Sequence, residues 1–90
     1  MSKVIVYTGE NDFIVNKIIY VLNNGVPEEK YTTTSAAAAK NIAAICEQQE
    51  INEIHLYGPT ALMENLQEKI ISKNNKFINR NINFKINLSL

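Results

Sequence analysis

Residues Asp12–Leu22 read DFIVNKIIYVL, and the topology of the chain turns on whether they form a strand or a helix. Phe13, Ile14, Ile18, Val21 and Leu22 fit one helical stripe, with Asn11 or Asp12 placed as a cap and Gly25 as a stop. The density of β-branched residues favours a strand instead, paired with the preceding one through a turn over Gly9 to Asp12. We adopt the strand. A helix would follow the first strand as a further crossover and could cover a sheet face that the strand leaves open.

On the N-terminal side, Lys3–Thr8 (KVIVYT) is β-branched and aromatic and stops at Gly9, which predicts a buried strand. On the other side, Asn23–Glu29 (NNGVPEE) has the composition of a turn, and Tyr31–Thr34 (YTTT) is a short β-prone stretch. Ser35 or Thr34 can cap an alanine-rich helix to about Gln49. Its apolar stripe is Ala38, Ala39, Ile42, Ile45 and Cys46, at the spacing that buries one face. Ile54–Tyr57 is a strand ended by Gly58-Pro59. Thr60 then opens a helix to about Ser72, with Leu62, Met63, Leu66 and Ile70 inward. After a polar connector, Lys73–Asn81, the chain alternates: Ile82, Phe84, Ile86, Leu88 and Leu90 lie on one face, Asn83, Lys85, Asn87 and Ser89 on the other.

These elements make one α/β domain over residues 1–90. A small mixed sheet carries helices mainly on one face, in the order β-β-β-α-β-α-β, with an open β-α-β-α-β-α-β sheet as the alternative. Two right-handed crossovers in the same direction place both helices on the same side. Assigning Val4, Val6, Ile54, Leu56 and the Ile82 to Leu90 set to that side leaves Ile5, Tyr7, His55, Tyr57, Asn83, Lys85 and Asn87 on the uncovered face.

Ninety residues suffice for one core and not for two. With 46% hydrophobic and 20% charged residues the composition is that of a globular protein. The single cysteine, Cys46, excludes an internal disulfide and predicts a reducing, cytoplasmic setting. No apolar run reaches the length of a membrane span, and no signal peptide is expected. Net charge is zero but unevenly spread. Residues 1–68 hold all nine acids and only Lys3, Lys17, Lys30 and Lys40, whereas Lys69, Lys73, Lys76, Arg80 and Lys85 follow with no acid among them.

The element order resembles the ribonuclease-H-like superfamily. Val4–Gly9 (VIVYTG) sits where its nucleases have a strand ending in a catalytic aspartate. The stretch TTTSAAAAKNIAAICEQQEINEIHLYGPTALMENLQEKI looks like the ribosomal platform protein of that fold. The resemblance implies the mixed sheet just described. Nuclease chemistry in such a fold needs several carboxylates around two divalent cations. The matching positions here are Gly9, Ala36 to Ala39 and Pro59, which hold none, and Glu10 and Asp12 stand in a turn.

Other chemistry is as sparse. Cys46 lies on a buried stripe near a helix C-terminus, whereas a reactive thiolate wants an exposed, electropositive place. His55, the only histidine, is in mid-strand. Neither a metal ligand set nor a cofactor motif can be assembled, and we expect no catalysis. Thr8, Gly9, Gly58 and Thr60 lie at two strand-end turns where a small anion would meet backbone N–H groups. Tyr7, His55, Tyr57, Asn83 and Lys85 form the expected partner-binding face, for another protein or a second copy of this chain as a homodimer. Single-stranded nucleic acid or RNA is the next alternative, stacking on those rings with Lys73, Lys76 and Arg80 at the rim.

Overall fold

The computed structural model describes residues 2–10, 16–73 and 82–88. Lys17–Asn23 (KIIYVLN) is a strand, as its β-branched side chains favour, while residues 12–15 of the deciding stretch lie outside the described residues. The elements are β1 (Lys3–Thr8), β2 (Lys17–Asn23), β3 (Val26–Thr33), α1 (Ala38–Gln48), β4 (Glu53–Tyr57), α2 (Thr60–Lys73) and β5 (Asn83–Ile86). This is the β-β-β-α-β-α-β order, and the three-helix alternative is excluded. The five-stranded sheet runs β3-β2-β1-β4-β5, antiparallel through β3, β2 and β1 and parallel from β1 through β4 to β5.

The β2–β3 connection is shorter than composition suggested. Asn23 pairs with Val26, and only Asn24 and Gly25, with φ of 52° and 82°, form the turn. Two positive φ values in a two-residue hairpin are what Asn-Gly supplies, because its backbone twist matches that of the strands. The Asn24 carboxamide oxygen also accepts the Ser2 N–H at 3.0 Å, tying the turn to the chain start. Val26–Thr33 is therefore one eight-residue strand. Pro27 is tolerated because β3 is an edge strand, where a missing ladder donor does little harm.

Both helices pack on one face of the sheet. Ala38, Ala39, Ile42, Ile45 and Cys46 of α1 and Met63, Leu66 and Ile70 of α2 join Ile5, Tyr7, Ile19, Val21, Ile54 and Leu56 in a single core. The helix stripes are those the spacing predicts, with Leu62 half-buried at their edge. α1 begins after a turn over residues 35–37. Its N-cap is Ala37 and makes no side-chain cap, so neither Thr34 nor Ser35 caps the helix; Thr34 Oγ1 instead accepts the Ala37 N–H at 3.2 Å within the preceding turn.

The phase of β1 is the opposite of the one assigned from sequence. Ile5 and Tyr7 are 0% and 2% exposed and face the helices; Val4 and Val6 are on the other side. Both alternating sets of KVIVYT are apolar, so the strand alone could not choose its buried side. The register chooses it: Ile5 is paired with Ile54 and Val21, and Tyr7 with Leu56 and Ile19. The larger set fills the space left beneath the small side chains of α1. β5 is also shorter than its pattern, since Asn87 adopts φ 51° and ends the strand; residues 89–90 lie outside the described residues.

Candidate functional site

The face of the sheet opposite the helices is a continuous surface whose composition follows from strand register. Val6 of β1 pairs with Tyr20 on one side and His55 on the other. Tyr20 then pairs with Lys30, and His55 with Lys85. One row across five strands is therefore Lys30, Tyr20, Val6, His55, Lys85. The neighbouring row holds Leu22, Val4, Glu53 and Asn83, and Ile18 and Tyr57 extend the face further. Val4, Val6, Tyr20, Leu22 and Tyr57 are half-buried by one another, and Ile18 is exposed. Among the described residues no helix covers this face.

Its polar groups are arranged around the apolar centre. Tyr20 carries the Lys30 ammonium 5.9 Å from its ring centroid, close enough for a cation–π attraction. On β4, the His55 Nε2–H donates to Glu53 Oε1 at 2.7 Å, and Lys85 Nζ lies 3.7 Å from the same oxygen. An ionised carboxylate only accepts, so Nε2 carries the hydrogen of this contact. The His55 hydrogen bond, with a smaller contribution from the Lys85 charge, holds the Glu53 carboxyl below its ordinary range.

Of the residues expected on this face, His55, Tyr57, Asn83 and Lys85 are there. Tyr7 is not; it is a core residue packed beneath the helices. Val4, Val6, Ile18, Tyr20 and Leu22 were missed. The Asn24-Gly25 hairpin signal would have placed Ile18, Tyr20 and Leu22 in a strand beside β3, but only the pairing with β1 determines which side they face. For the nucleic-acid reading, Lys73 is exposed at the end of α2, in the helix layer, and Lys76 and Arg80 lie outside the described residues.

The turns proposed for a small anion are occupied from within. The Gly9 N–H donates to the Tyr57 carbonyl at 2.8 Å. Gly58 N–H donates to Asn87 Oδ1 at 3.0 Å, and Asn87 Nδ2 donates to the Gly58 carbonyl at 2.8 Å and to Thr60 Oγ1 at 3.2 Å. The carboxamide thus continues the β4–β5 ladder where the backbone leaves it. Thr8 is exposed and takes no part in these bonds, and Gly9, Gly58 and Thr60 are engaged in them at the strand ends.

Cys46 is buried at 1% exposure in the core. Among the described residues, no three His, Cys, Asp or Glu side chains converge as metal ligands would, and no helix is long and apolar enough to cross a membrane. A scan against family models, a search of curated proteins and a search of solved structures each found no match, so the ribonuclease-H-like resemblance rests on the sequence.

Proposed function

We propose that this chain is a non-catalytic association module whose helix-free sheet face docks another protein surface, with a second copy of itself as the partner that the face fits. The observation that carries this is the row Lys30, Tyr20, Val6, His55, Lys85. Its chemistry is nearly symmetric about Val6: an aromatic ring on either side, then a lysine at either margin. A two-fold interface needs a surface that complements itself. Turning this face onto its copy about an axis along β1 sets Val6 against Val6 and the Tyr20 ring against the His55 ring. The same rotation sets Lys30 against Lys85, like charges left at the solvated rim where water and salt screen them. Glu53 already has a countercharge in Lys85 and a hydrogen bond from His55, so its burial would not strand an unpaired carboxylate. We take the compartment to be the cytoplasm, on the strength of the single buried thiol.

Sedimentation equilibrium tests this reading. The chain should show a reversible monomer–dimer equilibrium, and Val6→Glu should weaken it at least about tenfold, roughly 1.4 kcal/mol. A chain that stays monomeric at millimolar concentration would rule out the second copy.

A further inference from the structure

A second surface feature lies on the helix side, remote from the association face and independent of it. β1 and β4 are adjacent and parallel, and their connections leave in opposite directions, β1 toward β2 and β4 through α2 toward β5. In open α/β sheets the crevice outside the carboxyl ends of such a strand pair is where ligands bind. Here it holds a cavity of about 300 Å³ over the end of β1, between the start of α1 and the face of α2. Its size is at the lower end of small-molecule sites.

The space exists because small residues meet there. Ala36 and Ala39 contribute only methyl groups, and Met63 closes in over Gly9; Tyr7, Leu62, Met63 and Leu66 form the apolar walls, with Ser35 and Asn65 beside them. Two charged side chains reach its rim, Glu10 and Lys69. Glu10 is already opposed by Lys17, whose ammonium is 3.6 Å away and whose side chain is only 9% exposed. Glu10 is thus engaged by Lys17, and Lys69 is the ammonium of the lining itself.

We propose that this cavity binds a small carboxylic acid with an apolar, ring-sized body, the body against Tyr7, Ala39 and Met63 and the carboxylate toward Lys69. Titration of the ¹⁵N-labelled chain with 4-phenylbutyrate tests it, with the neutral 4-phenylbutanamide as control. Saturable shifts are expected at the amides of Ala36, Ala39, Met63 and Leu66, with the acid binding more tightly than the amide. Lys69→Gln should reduce affinity for the acid about two- to five-fold, the worth of one exposed ion pair, and leave the amide unchanged. Ala36→Phe, at an exposed position that tolerates the ring, should close the mouth and abolish both titrations at an unchanged melting temperature. Shifts that do not saturate, equal affinity for acid and amide, or binding that survives Ala36→Phe would each overturn the proposal.

Discussion

Gly58 adopts φ 150°, and a Cβ at this position would run into the carbonyl oxygen of Gly9. Both backbone strain and the loss of the Asn87 clasp oppose a side chain here, so Gly58→Ala should cost about 1–3 kcal/mol in urea unfolding. A different residue-scale effect concerns Glu29. Its Oε2 accepts the Tyr31 hydroxyl at 2.6 Å and its Oε1 the Gln49 amide at 2.8 Å. The Tyr31 bond first, then Gln49, lowers the Glu29 pKa, while the Glu29 bond raises that of Tyr31. For Glu29, the stabilisation is present above the ordinary carboxylate pKa and is lost as pH falls through the lowered folded value. For Tyr31 it is present below the ordinary phenol value and lost as pH rises through the raised one. Tyr31→Phe should therefore flatten both the acid and the alkaline limbs of the urea midpoint plotted against pH. Unaltered limbs would show that the network contributes nothing.

At the scale of elements, the β2–β3 hairpin and α1 carry the most direct predictions. A Cβ on Gly25 would meet nothing within 4 Å, so Gly25→Ala isolates the conformational cost of φ 82° in the turn. That cost should be about 1 kcal/mol, measured by thermal unfolding. Ile42 is fully buried on the α1 stripe, and Ile42→Ala should cost roughly 2–5 kcal/mol through lost burial and the cavity left behind. The helices were legible because a 3.6-residue stripe has one apolar side, as in Ala38, Ala39, Ile42, Ile45 and Cys46. β3 was obscured because Pro27, Glu28 and Glu29 have turn-like composition. Its status as an edge strand, which makes Pro27 acceptable, is a property of the sheet.

For the molecule as a whole, the sheet separates two surfaces with different prospects. The helix-free face is tested through Val6 and the proposed dimer. The cavity between α1 and α2 is tested through Lys69 and Ala36. The two can succeed or fail separately, because Val6→Glu alters only the first and Ala36→Phe only the second. Four residues of the helix-free face were readable beforehand. The polar alternation at Asn83 and Lys85, with His55 and Tyr57 two apart on β4, pointed outward correctly. Tyr7 did not, because alternating apolar residues in β1 present two equally plausible sides.

By itself the amino-acid sequence determined the two helix stripes and favoured, over a helix, the β-branched strand at Lys17–Asn23, since each depends on local propensity and on periodicity within one segment. Tertiary structure alone decided which side of β1 is buried, how far β3 extends and what the polar groups at the strand ends do. Those outcomes depend on pairing. Ile5 meets Ile54 and Val21 across the sheet, Pro27 falls on an edge, and Asn87 reaches Gly58 from 29 residues away. The same pairing turned the deciding stretch from a question of helix or strand into a surface, by placing Ile18, Tyr20 and Leu22 on the face that no described helix covers.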